Sequence, residues 1–587
     1  MYLARSQVGV IASGTRLPIL RRNIALCRMA IEYSEIGTQG RGGKLGGDRM
    51  RIPAQVVRFP FYDPGKTSPS PCQPFRPERA FLARRRGGKL AAGIPGRCPM
   101  AADMSGDRAM ISEQVAPTLV SRVLNSFDLV VIFVALVLFI PNASTVQFAG
   151  SASFVFWILG FLTFLIPGAF VTAQLGRMFP EEGSLYVWTH KALGSFWGFF
   201  AGFAAWWPGV LVMILSGSLV VSLSQAINSS LFTRPWQQGL IVLAVLWFSC
   251  LLGTLRFRLT QNYVNIQFLL YSFCLLLIGI SGFVWLAKGH HAANSLAFHA
   301  SSLTGWGQWT FFSTVILALL GIEVPLNMGV EIKSENSIKR YLFWGCLVVI
   351  VAYLWATLSN MLVVPVAENN ATYGIVQTVQ IALSHTLGSW VAFILVLIFV
   401  SDTVVYNYSF ARLMFVSGLE RRLPHQFGRV NQNKVPANAV IAQTVIASIA
   451  TAAIYFPIQS ASSNYATKVY LVLLAAVTVV WCTSMVLLFS DVFFVRRSFP
   501  EKFRQAQRTP WGVLALCGIV GVAADAAAVV LLFWAPWAPI FTRTGWDLAV
   551  GAITVVSIGI GLGIFFVSER ARREGVGPDA SLSNAPA

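Results

Sequence analysis

Five acidic residues lie within stretches of the chain that are otherwise almost entirely apolar, namely Asp128, Glu323, Asp402, Asp491 and Asp525. A carboxylate in apolar surroundings is costly, so such a residue takes up a proton, binds a cation or an amine, or forms a buried hydrogen bond. The first chemistry that the sequence predicts is therefore the handling of protons or small cations inside an apolar layer.

Two prolines interrupt apolar stretches that also hold one of these acids. Pro141 lies in LFIPNAST, and Pro325 lies in LLGIEVPLNMG. Proline lacks the backbone donor and clashes with the preceding turn, so a helix breaks or kinks there. If each proline begins a second half-helix, free N–H groups face the break and attract an anionic group such as a carboxylate. The simpler alternative is that both prolines only bend packed helices.

The elements that carry these residues are apolar runs long enough to cross a bilayer. The chain has 587 residues, is 55% hydrophobic and only 12% charged, and has a mean hydropathy of +0.64. A helix of about 20 apolar residues crosses a hydrocarbon core, whereas the strands of a membrane barrel alternate apolar and polar residues, which these runs do not. We predict an all-α membrane protein with twelve transmembrane helices, at residues 126–147, 151–177, 195–223, 236–254, 262–287, 309–330, 341–364, 389–417, 437–456, 468–495, 511–534 and 547–567.

The two proline breaks fall in the first and the sixth of these helices. The two broken helices are five positions apart in the helix order, and matched interruptions at that spacing are what an inverted repeat of five helices produces. In such a repeat the solute site lies near the middle of the membrane, between the two broken helices.

The basic residues of the loops are distributed unequally between the two sides. Nineteen Lys and Arg residues fall on the side of the N-terminus and four on the other. Cytoplasmic loops retain an excess of positive charge, so we predict that both termini are cytoplasmic. The net charge of +20 is not a sign of nucleic-acid binding, because residues 1–110 carry +12 of it and the loops show no basic stripe with interleaved aromatic residues.

Residues 1–110 differ from the rest of the chain in being rich in Arg, Gly and Pro, with no long apolar run. Three interpretations stay open: a disordered basic tail on anionic lipid, a small regulatory segment, or translation upstream of the true start. We expect a disordered or mistranslated extension at 1–110, a transporter domain at 111–570 and a short cytoplasmic tail at 571–587.

Three stretches together resemble the amino acid–polyamine–organocation superfamily of permeases. They are FPEEGSLYVWTHKALGSFWGFFAGF from Phe179, GIEVPLNMGVEIK from Gly321, and ARLMFVSGLERRLPHQFGRVNQNKVPANAV from Ala411. The similarity covers roughly residues 120–570, and within the superfamily it is closest to the glutamate/γ-aminobutyrate antiporter branch.

The resemblance implies a five-plus-five inverted repeat with broken helices 1 and 6, followed by two extra C-terminal helices, and an amino acid or amine as substrate. Carried over by position, the substrate site consists of Pro141, Asn142, Ala143, Ser144, Gly321, Ile322 and Glu323. The chain departs from the superfamily at the first break, where PNAS replaces a glycine-containing run, so Asn142 and Ser144 add side chains that glycine lacks.

Individual residues are expected to have the following roles. Glu323 is the proton-coupling candidate or the partner of a substrate ammonium. The alternative is a purely structural role as a neutral buried acid. Ser401, Asp402 and Thr403 form a possible ion site, because oxygen ligands suit sodium. Trp207 and Trp481 are possible aromatic gates, although packing or anchoring explains either equally well.

The function expected from these residues is secondary active transport by alternating access across the cytoplasmic membrane, as an exchanger or a proton-coupled symporter. The alternatives are a sodium-coupled symporter and a membrane receptor that binds without transporting, and a homodimer is left open. An enzyme is not expected, because the six histidines fall in loops without ligand spacing. We expect no metal and no cofactor.

Overall fold

The computed structural model describes residues 110–297, 306–334, 336–458, 465–538 and 540–573, and the backbone of short strands within residues 2–56. The chain separates into two compact units, Met1–Arg97 and Cys98–Ala587. The expectations for residues 1–110 and 571–587 fall largely outside the described residues and stay predictions.

The first unit contains six short strands. Four of them form an antiparallel sheet in the order β2 (Ser6–Gln7), β1 (Tyr2–Leu3), β5 (Gln39–Gly42) and β6 (Ile52–Gln55). The other two, β3 (Gly9–Leu17) and β4 (Arg22–Met29), pair as an antiparallel hairpin whose register shifts between Ile11 and Ser13.

The second unit confirms the prediction of an all-α protein with twelve membrane-crossing helices. The described residues contain twelve apolar helical spans, numbered 1 to 12: Ser126–Ala149, Ala152–Met178, Ser195–Ile227, Pro235–Thr254, Phe257–Ala287, Gly307–Asn327, Asn336–Val363, His385–Leu419, Ala437–Tyr455, Tyr465–Ser498, Trp511–Leu532 and Arg543–Ala571. Several spans begin or end a turn beyond the predicted limits, because polar residues such as those of Asn336–Arg340 continue the helix past the apolar run.

Span 1 is broken where the sequence predicts. The helix Ser126–Val137 ends before a short non-helical stretch, and Pro141 begins a six-residue helix, Pro141–Val146. The helix start at Ser126 is fixed by Asn125, whose side chain accepts hydrogen bonds from the backbone of Phe127 and Asp128. The inverted repeat itself stays a prediction.

Span 6 is also broken, but its second half differs from the prediction. The helix Thr310–Leu319 ends before Gly321, which has a φ of 107°, a conformation that glycine adopts readily and other residues avoid. Pro325 then lies in a single 3₁₀ turn, Val324–Asn327, followed by a second one, Gly329–Glu331. The second half of span 6 therefore consists of two 3₁₀ turns and not of a second α-helix. Gly329 allows it, since a side chain there would collide with the backbone of Glu181.

The broken spans lie at the centre of the bundle. In both span 1 and span 6, 94% of the most apolar window is buried, against 22% in span 12. Span 3 packs extensively on spans 8 and 10, which enclose the breaks from one side. On the periphery, large apolar side chains such as Leu269, Ile449 and Leu548 are exposed, which is stable only where lipid is the solvent.

Four helices lie outside the spans: α1 (Ile111–Leu119), α2 (Ser184–Leu193), α3 (Gly374–Ala382) and α4 (Pro500–Ala506). We call the end of the bundle that carries α1, α2 and α4 the basic face, and the end that carries α3 the opposite face. The names follow from the loop charges, since the basic loops predicted to be cytoplasmic lie on the side of α1.

Candidate functional site

A cavity lies between spans 1, 3, 6, 8 and 10, beside both breaks. Its volume is about 20 Å³, roughly the space of one water molecule, and most of its lining is apolar. The polar atoms in the lining come from Asn142, Tyr406 and Trp481. The cavity thus offers an apolar chamber with a few hydrogen-bonding groups at the level of the breaks, which is the usual composition of a small-molecule site.

Glu323 lies at the second break, next to Trp481. The indole N–H of Trp481 donates to Glu323 Oε1 at 3.1 Å, while Glu323 Oε2 has no hydrogen-bond partner among the described residues. The side chain is 1% exposed. Because Trp481 lines the cavity and Glu323 does not, the carboxyl group lies behind the indole, one side chain away from the chamber. Its hydrogen-bond partner, Trp481, is a lining residue of the cavity.

The first break offers fewer free donors than the sequence suggests. Pro141 has no N–H, and the N–H groups of Asn142 and Ala143 already donate to the carbonyls of Phe139 and Ile140, at 2.9 and 3.0 Å. The side chain of Asn142 does line the cavity, and its Oδ1 accepts a hydrogen bond from Tyr470 at 3.3 Å. The break therefore presents an amide side chain to the chamber more than a row of backbone donors.

Tyrosine hydroxyls satisfy the carbonyls that the breaks leave without helical partners. Tyr271 of span 5 donates to Leu138 O at 2.5 Å, and Tyr406 of span 8 donates to Leu136 O at 2.5 Å. Tyr353 of span 7 lies within hydrogen-bond distance of the carbonyls of residues 137, 139 and 318. Orphan carbonyls of a half-helix need such partners in a dry environment. At this break the phenol hydroxyls donate the hydrogen bonds that the unpaired carbonyls require.

Ser144 faces the opposite face and not the cavity. Its hydroxyl accepts the N–H of Ile375 at 3.0 Å, and its carbonyl accepts Asn369 Nδ2 at 2.7 Å. Next to it, Thr145 Oγ1 donates to Ala371 O at 3.1 Å. These bonds join span 1 to α3 and the loop before it, so they close the path from the chamber to the opposite face.

The three residues of the predicted ion site do not converge on one point. The hydroxyls of Ser401 and Thr403 donate to the carbonyls of Leu397 and Phe399 of their own helix, at 2.9 and 2.8 Å. Asp402 is buried, and its Oδ2 has no hydrogen-bond partner among the described residues. A cation here would have to draw ligands from other spans.

The two predicted gate tryptophans occupy different places. Trp481 lines the cavity and continues a row of aromatic rings that runs through Phe410 and Tyr406 to Phe139. Trp207 is not among the lining residues; its N–H donates to Ser557 of span 12 at 2.7 Å.

The remaining buried acids are held by separate partners. Asp128 pairs with Arg258 at 2.6 Å and accepts Asn265 Nδ2 at 2.8 Å, which ties span 1 to span 5. Asp491 accepts the hydroxyl of Thr189 at 2.6 Å. Asp525 lies beside Cys482, the residue after Trp481.

A cluster of three buried charges closes the basic face. Arg412 of span 8 lies between two acids, 2.5 Å from Glu331 and 3.3 Å from Glu182, and all three side chains are almost completely buried. We call these residues the Glu–Arg–Glu cluster. The backbone of Glu331 is joined to the start of span 1, because its carbonyl accepts the N–H groups of Val123 and Leu124 at 2.9 and 3.0 Å.

Comparison with known proteins agrees with this architecture. Residues 124–567 match the family described as amino acid permease. The chain belongs to this family. It is 24% identical to an uncharacterized transporter, lpg1691, from Legionella pneumophila, over 71% of this chain and 90% of that one. It is also 24% identical to a probable agmatine/putrescine antiporter, AguD, from Lactococcus lactis, over 48% of this chain and 61% of that one. The chain is therefore a membrane transporter.

The first unit has a different similarity. Residues 1–63 match the family described as glycine cleavage T-protein C-terminal barrel domain. A trimethylamine-oxide aldolase from Ruegeria pomeroyi is 45% identical over 69 residues, which are 12% of this chain and 9% of that enzyme. A match to 9% of an enzyme does not show that this chain has the activity of that enzyme.

The sequence did not reveal the tyrosines or the Glu–Arg–Glu cluster. The partners of these tyrosines at the first break lie 131 to 270 residues away in the chain. Arg412 and Glu331 are within stretches that resemble the superfamily, which was the available signal, but nothing in the sequence pairs them.

Proposed function

We propose that the protein carries an amino acid or a related amine across the cytoplasmic membrane by alternating access, as an exchanger or a proton-coupled symporter. The observation that carries the proposal is the carboxyl group of Glu323, which is buried at the break of span 6 behind the wall of a chamber. One of its oxygens accepts a hydrogen bond from Trp481, and the other has no partner among the residues that the structure describes.

An ammonium group suits the site better than a carboxylate does. The chamber lining contains no Lys or Arg, and the first N–H groups after Pro141 are already engaged. A solute cation would replace the missing partner of Glu323, and movement of the Trp481 indole would admit it. We therefore place the ammonium group at Glu323 and the apolar part of the solute among the aliphatic side chains of spans 1, 3 and 6.

The closure of both faces suits a carrier better than a channel. On the opposite face Ser144 and Thr145 bind the α3 region, and on the basic face Glu331 binds the start of span 1. A channel needs a continuous polar pathway, whereas this chamber has a mostly apolar lining and is flanked by interhelical hydrogen bonds on both sides. Alternating access requires that each set of bonds break in turn while the other holds.

Coupling to sodium is the less favoured alternative. The carbonyls at the first break already accept hydrogen bonds from Tyr271, Tyr353 and Tyr406, so a cation bound there would have to compete with these phenols. A buried acid without a cationic partner favours coupling through a proton or through exchange of charged amines. Replacing sodium by choline on both sides of a proteoliposome is expected to leave the transport rate unchanged.

The proposal is tested in two steps. A thermal-shift screen of purified protein against amino acids and amines finds ligands, because binding to the folded state raises the unfolding midpoint. Labelled ligand is then offered to proteoliposomes loaded with unlabelled ligand. Accumulation of label supports a carrier, and binding without accumulation supports the receptor alternative.

A further inference from the structure

The Glu–Arg–Glu cluster holds two acids but only one base. Arg412 Nε donates to Glu331 Oε1 at 2.8 Å, and a second guanidinium nitrogen of Arg412 lies 2.5 Å from the same oxygen. Glu182 is farther away, at 3.3 Å from Nε. The guanidinium therefore compensates Glu331 first. If Glu182 is ionised as well, the closed cluster holds one uncompensated negative charge in a site that water does not reach.

The charged groups around the cluster do not supply the missing positive charge. Span 8 adds Tyr408 and span 5 adds the ring of Phe257, which lies 5.4 Å from the Arg412 guanidinium. Asp128 is paired with Arg258. On the loop before α2, the neighbour Glu181 interacts with the groups of Lys502, Glu113 and Lys191.

Burial and the nearby charge of Glu331 raise the pKa of Glu182 well above its usual range, and Arg412 offsets only part of this effect. Burial in the closed form thus favours the protonated form of Glu182. When the basic face opens, water reaches the carboxyl group, its pKa returns toward the ordinary value, and the proton leaves.

Glu182 and the residue after it also form hydrogen bonds with the segment that must move when the basic face opens. Its Oε2 accepts the N–H of Val330 at 3.3 Å, and the next residue, Gly183, donates its N–H to Asn327 O at 2.9 Å. These bonds hold residues 327–331. The same segment binds the start of span 1 through the carbonyl of Glu331. Opening of the basic face separates these groups from one another.

We propose that Glu182 is a proton-binding site whose occupancy controls opening of the basic face. Its part in coupling rests on the proposed transport function. Closing the face binds one proton and opening it releases one. Protonation of Glu182 stabilises the closed form fully at pH values below the ordinary pKa of a glutamic acid. This stabilisation is lost as the pH rises through the raised pKa that Glu182 has in the closed form.

Hydrogen exchange of the full-length protein tests this without a substrate. The amides of Val123, Leu124, Val330 and Lys333 are bonded in the closed form, and opening of the face is expected to break these bonds. Their exchange rates are measured between about pH 6 and about pH 9 and divided by the rates of an unstructured peptide at the same pH. Linkage of one proton predicts that protection falls by up to about tenfold per pH unit within the range where Glu182 titrates.

Three variants locate the effect. Glu182→Gln cannot release a proton, so its protection is expected to stay high at every pH. Glu181→Gln is the matched control, because this acid lies on the same loop, and burial raises its pKa to about 6, but it faces other partners. It is expected to keep the wild-type pH dependence. Glu331→Gln leaves one acid with Arg412, and its protection is expected to be independent of pH.

The proposal is overturned if wild-type protection does not change with pH, if Glu182→Gln keeps the dependence, or if Glu181→Gln removes it. Because no substrate is involved, any of these results leaves the transport proposal standing, while failure of counterflow leaves the proton site standing. Unfolding midpoints of the variants establish that each is folded.

Discussion

At the scale of single residues, the account depends on Glu323 having one engaged oxygen and one free oxygen. A buried carboxyl group in this state gains most from a ligand that brings its own positive charge, because the ligand fills the vacant acceptor and neutralises the acid together. The sequence showed Glu323 as one of five acids in apolar runs, and its place beside Pro325 in the sixth helix made it the proton-coupling candidate. It was not sufficient to show that Trp481 stands between the acid and the chamber.

Replacing Glu323 by Gln keeps the size of the side chain and removes its charge. A hydrogen bond to a charged group contributes about 1.5–3 kcal/mol, so the affinity for an amine substrate should fall by roughly 10- to 100-fold. Isothermal titration measures it. Asp491→Asn is the control, because this acid is buried outside the cavity lining. Unchanged affinity and unchanged pH dependence of transport in Glu323→Gln would contradict the assignment.

The two tryptophans allow a matched comparison. Trp481→Phe keeps an aromatic ring beside the chamber but removes the donor to Glu323, and the affinity should fall by up to about tenfold. Trp207→Phe removes a bond to Ser557 that does not concern the chamber, and the affinity should be unchanged. Equal effects of the two substitutions would show that Trp481 acts only through packing.

Substrate pairs that differ in one carboxylate test the preference for an amine. Agmatine and arginine share the guanidinium and the amine, and only arginine carries the carboxylate. The site has no free basic group and few free N–H groups for it, so agmatine should bind at least about tenfold more tightly. Tighter binding of arginine would mean that the breaks supply carboxylate donors after all.

At the scale of elements, the broken span 1 is stabilised by side chains of other spans. The sequence predicted the breaks from Pro141 and Pro325, because proline acts on its own helix. It did not predict the tyrosine partners, which come together only when spans 5, 7 and 8 pack around the break. It also predicted a second half-helix in span 6, where the structure has 3₁₀ turns, because local sequence does not show how closely Gly329 approaches the loop at Glu181.

Removing the hydroxyl of Tyr353 measures this stabilisation. Tyr353→Phe leaves buried carbonyls without a partner, and the free energy of unfolding should fall by about 1–3 kcal/mol. Tyr455→Phe loses a hydroxyl pair with Ser218 far from the break, and should cost about 1 kcal/mol. Denaturant unfolding in detergent compares the two. A smaller loss for Tyr353 than for Tyr455 would argue against the role of the phenols.

At the scale of the whole molecule, the fold was largely predictable and the closures were not. Twelve spans follow from composition and run length, because each helix must satisfy its own backbone in lipid. The closures depend on contacts between distant segments, such as Glu331 with Val123 and Ser144 with Ile375. Such contacts on both sides of the chamber are what the proposed alternating access requires.

The orientation in the membrane follows from the loop charges and has its own test. An impermeant thiol reagent applied to intact spheroplasts should label the protein through Ala292→Cys, on the opposite face, and not through Gln432→Cys, on the basic face. Both positions are exposed. The reverse labelling would place the basic face outside.

Counterflow in proteoliposomes tests most directly whether the protein is a carrier for an amine. Vesicles loaded with an unlabelled amine that binds in the thermal-shift screen should accumulate the labelled amine transiently above its external concentration, and vesicles with Glu323→Gln should accumulate at least about tenfold less. Tight binding of the amine by the wild-type protein with no accumulation of label would contradict a carrier that works by alternating access.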